Sequence, residues 1–170
     1  MKMTSAYANK LLKRLNEDKE FWHDKESNGH VYEAALDEEP LIPDYDYVEV
    51  SKNIEQIDKK IVLVKHAINL ANVTNQIQVG DITMTADMIL IRMTQLNKRK
   101  VVLDSMRKLP PKSRISSDIF SGRKTIPEYQ YINFDLSLVK EEYERIDTEI
   151  ATMQMALDKY NQTVEFEVEI

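Results

Sequence analysis

The chain has 170 residues, 42% of them hydrophobic, which is enough for one domain with a real core. It has no cysteine, which excludes disulfides, thiolate metal sites and cysteine nucleophiles and leads us to expect a reducing compartment, the cytoplasm. A net charge of −6 argues against nucleic acid as a partner, and no apolar run is long enough to predict a membrane-spanning helix. Residues 1–13 also lack the apolar stretch and small-residue cleavage site of a secretory signal.

The charge is unevenly spread. Residues 1–80 carry −4, residues 81–125 carry +6 and residues 126–170 carry −8. An acidic C-terminal segment and a basic middle segment can complement each other within the fold or between subunits.

All the glycines and prolines fall between periodic stretches, so the chain divides into four helices. The first is predicted to start at Thr4 or Ser5, to present Ala8, Leu11, Leu12, Leu15 and Trp22 on one face, and to end near Gly29. Residues 29–47 hold Glu38, Glu39, Pro40 and Pro43 and predict an extended arm, with a short strand at 30–36. The second helix, 48–75, carries a seam at Tyr47, Val50, Ile54, Ile57, Ile61, Val64, Ile68 and Ala71. A turn at Gly80 leads to a third helix that opens at Thr83 or Thr85 and runs to about Lys108, so that 48–108 is expected to form a helical hairpin. The third helix has an apolar face wider than a seam, which places it between neighbours.

Residues 109–127 lack a period and are read as a basic, serine-bearing loop. Residues 128–134 read as a short strand. The last helix is capped by Asp135 or Ser137 and carries Leu136, Val139, Tyr143, Ile146, Ile150, Met153, Leu157 and Tyr160. Steps of three and four keep these residues on one side of a long helix, and the matching seam at 47–71 is the expected partner. The tail alternates Val164, Phe166, Val168 and Ile170 with Glu165, Glu167 and Glu169, the pattern of a half-buried strand whose expected mate is 128–134. The expected fold is therefore mainly α: one domain of four helices, two of them long and antiparallel, with a minor β element.

The order of these parts resembles the septicolysin-like family of small bacterial helical proteins. The resemblance rests on Glu38-Glu39-Pro40, Ile68-Asn69 with Thr74-Asn75, Gly80 with Thr83-Met84-Thr85, and Asp135 with Asn161 and Thr163. It implies a helical, oligomeric protein, and the family name implies a cytolysin. The apolar stripes here are the narrow kind that pack against protein rather than insert into a bilayer.

The sequence carries no Gly-x-Ser-x-Gly, phosphate-binding loop, dinucleotide fingerprint or His-Glu-x-x-His, and the expectation is a protein without enzymatic activity or cofactor. His23 and Glu26 have helical ligand spacing but lack a visible third ligand, and His66 sits beside a seam. Two readings remain. The first is a homo-oligomeric assembly protein, with Phe166, Val168, Tyr129 and Tyr131 as interface residues. The second is a binding protein or sponge for a small phosphorylated, nucleotide-like ligand. Its anion contacts would be Lys112, Arg114, Arg123 and Lys124, which gather in a segment without helical period beside serine hydroxyls.

Overall fold

The computed structural model describes residues 1–115 and 126–170. The elements in chain order are β1 (Lys2–Thr4), α1 (Ser5–Gly29), α2 (Tyr47–Thr74), β2 (Gln76–Val79), β3 (Ile82–Thr85), α3 (Ala86–Arg107), β4 (Lys112–Arg114), β5 (Tyr129–Tyr131), α4 (Leu136–Thr163) and β6 (Glu165–Glu167). The fold is mainly α, with three two-stranded antiparallel sheets among the described residues.

The helix starts follow from side chains that satisfy the free amides of the first turn. The Thr4 hydroxyl accepts from the Tyr7 amide at 3.3 Å, and Asp46 accepts from the Val48 and Glu49 amides at 2.8 and 3.2 Å. Asp135 does the same for Ser137 at 2.8 Å and Leu138 at 3.4 Å. Thr85 precedes α3, but its hydroxyl donates to the Asp87 carboxylate instead of capping a backbone amide.

The long seams of α2 and α4 do not pack on each other. The main partner of α2 is α1, and that of α4 is α3, so the molecule consists of two helical hairpins. The expected hairpin over 48–108 is corrected in the same way: α2 and α3 touch, but each packs chiefly on another helix. A three-four seam fits any helix with a complementary stripe, and here short connections and strand pairings select the sequence neighbours. The cores are correspondingly separate. Ile89, Leu96 and Leu103 of α3 pack with Val139, Ile146, Met153, Leu157 and Tyr160 of α4 and with Ile77 and Val79 of β2. Met3, Ala8, Leu15, Ile61, Val64 and Val168 form the other core, between α1 and α2.

The strands differ from expectation in their partners. β6 pairs with β1, placing Phe166 opposite Met3, rather than with the strand near 128–134. That second strand, β5, pairs with β4, with Lys112 opposite Tyr131 and Arg114 opposite Tyr129. Three residues of β1 are too few to show a period of two, which hides this mate of β6 from sequence reading. The turn at Gly80 is the tip of a β2–β3 hairpin that buries Ile77 and Val79; Gly80 takes φ +56°, the left-handed conformation such two-residue turns require. No strand forms at 30–36, where every residue is exposed and no neighbouring backbone offers a ladder.

The charge complementarity between middle and C-terminal segments operates within the chain. Arg92 pairs with Glu149 at 2.9 Å, and Lys100 pairs with Asp147. The hydrogen bond to Asp147 is the main influence holding the Lys100 pKa above its ordinary value.

Candidate functional site

Three features of the surface stand apart from the two cores: the β4–β5 ribbon, the outer faces of α2 and α3, and the segment between α1 and α2. The ribbon extends beyond its ladder, the Ile115 amide donating to the Glu128 carbonyl at 2.9 Å and the Ile132 amide to the Pro111 carbonyl at 3.3 Å. Antiparallel pairing brings together residues that the sequence had assigned to two different roles. The Lys112 ammonium lies 4.1 Å from the Tyr129 ring centroid and 5.5 Å from that of Tyr131, and Arg114 stands opposite Tyr129. Both tyrosines are exposed. Cations beside two exposed rings combine charge with flat apolar surface, which suits an anion carrying a planar group. Arg123 and Lys124 lie outside the described residues.

Other cations near the end of α3 are already engaged. Asp104 accepts from Arg107 at 2.7 Å and from Lys108, and its pKa is held below the ordinary aspartate value chiefly by the hydrogen bond from Lys108, then by that from Arg107. The Arg107 guanidinium also stacks 3.9 Å from the Tyr143 ring centroid. Arg107 thereby fastens α3 to α4, Lys108 is held at the end of α3, and neither is free for a ligand.

Phe166 and Val168, expected at an interface between copies, are corrected to intrachain packing. Val168 has no exposed surface, and its amide donates to the Met1 carbonyl at 2.8 Å. Phe166 is half-buried against the α1/α2 core. Their strand alternation was legible; its mate was not.

The outer helix faces are the feature the sequence reading missed on α2 and glimpsed on α3. Opposite its core, α2 exposes Val48, Val62, Leu63, Leu70 and Val73. Opposite its own core, α3 exposes Leu90, Ile91, Val101 and Val102. The signal was present in the unbroken run Ile61-Val62-Leu63-Val64, because four consecutive apolar residues on a helix cannot all face one side. Against the end of α1, α2 also borders an open groove of about 800 Å³ lined by His23, Tyr47, Ile54, Val62 and Leu63, with Glu26, Glu55, Asp58 and Lys59 on its rim. His23 Nδ1 is 3.9 Å from Glu26 Oε2, and the described residues hold no group of three metal-ligating side chains.

Residues 30–42, which join the hairpin tips, are exposed throughout. Leu36 is 102% exposed and Leu41 93%, values that leave these side chains without packing. The base of this segment is fixed nonetheless. Tyr45 rests on Gly29, where an added Cβ would lie 2.6 Å from the Tyr45 Cβ, and its hydroxyl donates to Glu26 at 3.4 Å. Desolvation, then Glu26, raises the Tyr45 pKa above its ordinary value.

No helix among the described residues is long and apolar enough to cross a membrane. The fold and these surfaces define a protein of two packed helical hairpins with unpartnered apolar faces. No family model matches the chain, and no curated protein matches it. Among solved structures it is similar to a functionally unknown conserved protein from Corynebacterium diphtheriae, at 13% identity and a TM-score of 0.60, covering 98% of this chain and 100% of that one. At that identity the likeness establishes a shared fold.

Proposed function

We propose that the protein is a non-enzymatic assembly protein whose copies associate through the outer faces of α2 and α3. The observation that carries this reading is the pair of exposed apolar faces, Val48, Val62, Leu63, Leu70 and Val73 on α2 and Leu90, Ile91, Val101 and Val102 on α3. A lone chain seldom leaves such contiguous apolar surface in water. Light scattering tests the reading. The wild type should form a dimer or higher closed oligomer, and Val62→Glu with Val101→Glu should release monomers that keep the helical circular dichroism spectrum. A wild type that is monomeric at tens of micromolar concentration would remove the basis for it.

A second reading, binding of a small phosphorylated ligand at the β4–β5 ribbon, is favoured by the position of Lys112 over Tyr129 and Tyr131. Arg114→Ala with Arg123→Ala should then abolish a phosphate- or nucleotide-dependent rise in melting temperature without changing subunit number. If no nucleotide or phosphate shifts the wild-type melting curve at low salt, the ribbon has no such role.

A further inference from the structure

The segment between α1 and α2 has the chemistry of a docking element. Residues 31–42 carry four acids, Glu33, Asp37, Glu38 and Glu39, and no Lys or Arg. Around the acids stand Val31, Tyr32, Leu36, Leu41 and Ile42, each more than half exposed. Such apolar side chains on an unpaired acidic loop gain nothing from the chain's own core. The clamp of Tyr45 on Gly29 fixes the loop's base, which lowers part of the ordering cost of binding.

Two apolar surfaces offer themselves, and charge separates them. The groove beside α2 is rimmed by Glu26, Glu55 and Asp58; its one Lys, Lys59, pairs with Glu55, and Asp58 is held by Lys19, so among the described residues the rim offers an acidic loop no unpaired cation. The outer face of α3 has the opposite character. Lys98 and Arg99 are exposed among Ile91, Val101 and Val102, and neither forms an ion pair among the described residues, although Arg99 lies close enough to Glu142 to influence it. The acid on this side, Asp87, is in the first turn and is hydrogen-bonded by Thr85. Arg92, Lys100 and Arg107, by contrast, are paired with acids within the chain.

A chain's own loop does not cover its own α3, since every residue from 30 to 42 is exposed. The loop leaves the far end of the 25-residue α1, about 37 Å from β1 at the standard helical rise. Resting on the assembly reading above, the geometry points to a reciprocal exchange in which residues 31–42 of one copy lie across the outer face of α3 of a second copy. Leu36, Leu41 and Ile42 cover Ile91, Val101 and Val102, and the four acids meet Lys98 and Arg99. Because each copy offers both a loop and a face, a two-fold axis closes the pair. Charge complementarity sets the register, and the apolar side chains supply the affinity.

The absence of cysteine makes the test clean, since introduced thiols have no competitors. Separately purified Leu41→Cys and Val101→Cys proteins, mixed and treated with a short bis-maleimide, should give a covalent dimer. Leu41→Cys mixed with Val62→Cys should not. Charge reversal gives the second arm. Glu38→Lys with Glu39→Lys should weaken association at least about tenfold, and adding Lys98→Glu with Arg99→Glu to the same chain should restore it. All these positions are exposed, and circular dichroism verifies that each variant folds. A wild type that stays monomeric overturns both the assembly reading and this exchange. An oligomeric wild type that gives no Leu41→Cys to Val101→Cys product, or one indifferent to charge reversal, overturns the exchange alone.

Discussion

The α3/α4 hairpin encloses a continuous core of large side chains, closes it with the β2–β3 hairpin next to it in sequence, and ties its helices with Arg92–Glu149 and Lys100–Asp147. The α1/α2 hairpin buries fewer residues, several of them small, and takes Met3 and Val168 from opposite ends of the chain to complete its core. Its ion pairs, Lys19–Asp58 at 2.7 Å and Lys25–Glu49 at 3.4 Å, are partly exposed like those of the other hairpin, and neither set contributes much net stability. It also carries the unpacked loop. One half carries the larger core and the other the unpacked loop, and each exposes an apolar outer face.

Truncation of side chains inside each core should have the largest effect. Ile89→Ala and Ile146→Ala remove fully buried side chains and should each cost about 2–5 kcal/mol. Leu15→Ala, in the thinner core, should fall at the lower edge of that range. Chemical denaturation measures the totals. Hydrogen exchange locates them: Leu15→Ala should speed exchange in α1 and α2 and leave α3 and α4 protected. Equal acceleration in both hairpins would show that the two cores unfold as one.

A smaller effect is expected at the loop base. Gly29→Ala gains about 1 kcal/mol of helix propensity, but its Cβ would meet the Tyr45 Cβ at 2.6 Å, an atom too near the backbone to swing aside. Overpacking of this kind costs about 1–3 kcal/mol. The expected result is a slight net loss of stability with faster proteolysis within 30–42, and no change in the exchange of α3 and α4. An unchanged proteolysis rate would mean that Gly29 does not fix the loop.

The smallest effect concerns pH. Hydrogen bonds from the Ser137 hydroxyl and amide, then from the Leu138 amide, hold the Asp135 pKa below its ordinary 3.8. A carboxylate with a depressed folded-state pKa stabilises the fold fully above the unfolded value, and the contribution is lost as pH falls through the folded one. Asp135→Ala should therefore lower the melting temperature at neutral pH by less than the core changes do, and the difference from wild type should shrink well below pH 3.8. A difference that persists in strong acid would assign the effect to something other than the charged cap.

The helices were legible because their signals are local. Asp135 before an apolar three-four stretch, or Thr4 before Ala8 and Leu15, states a cap and a face within a few residues. The pairing of helices was not legible, because the seams of α2 and α4 are equally compatible with other partners and the choice depends on connections and on the three-residue β1. The ribbon was half legible: Lys112 and Arg114 were marked by charge, Tyr129 and Tyr131 by aromaticity, and only antiparallel pairing put them side by side. The outer apolar faces were concealed by the assumption of one stripe per helix, although the 61–64 run contradicts it.

On the assembly reading, the surface left open by these two hairpins is covered by further copies of the chain. Native mass spectrometry of the wild-type protein tests it most directly, since it reports subunit number and any retained small molecule together. The expected result is a closed oligomer, a dimer if the loops exchange reciprocally, whose mass is an integral multiple of 19.9 kDa. A spectrum containing only monomer, at concentrations where light scattering also finds no association, would contradict it.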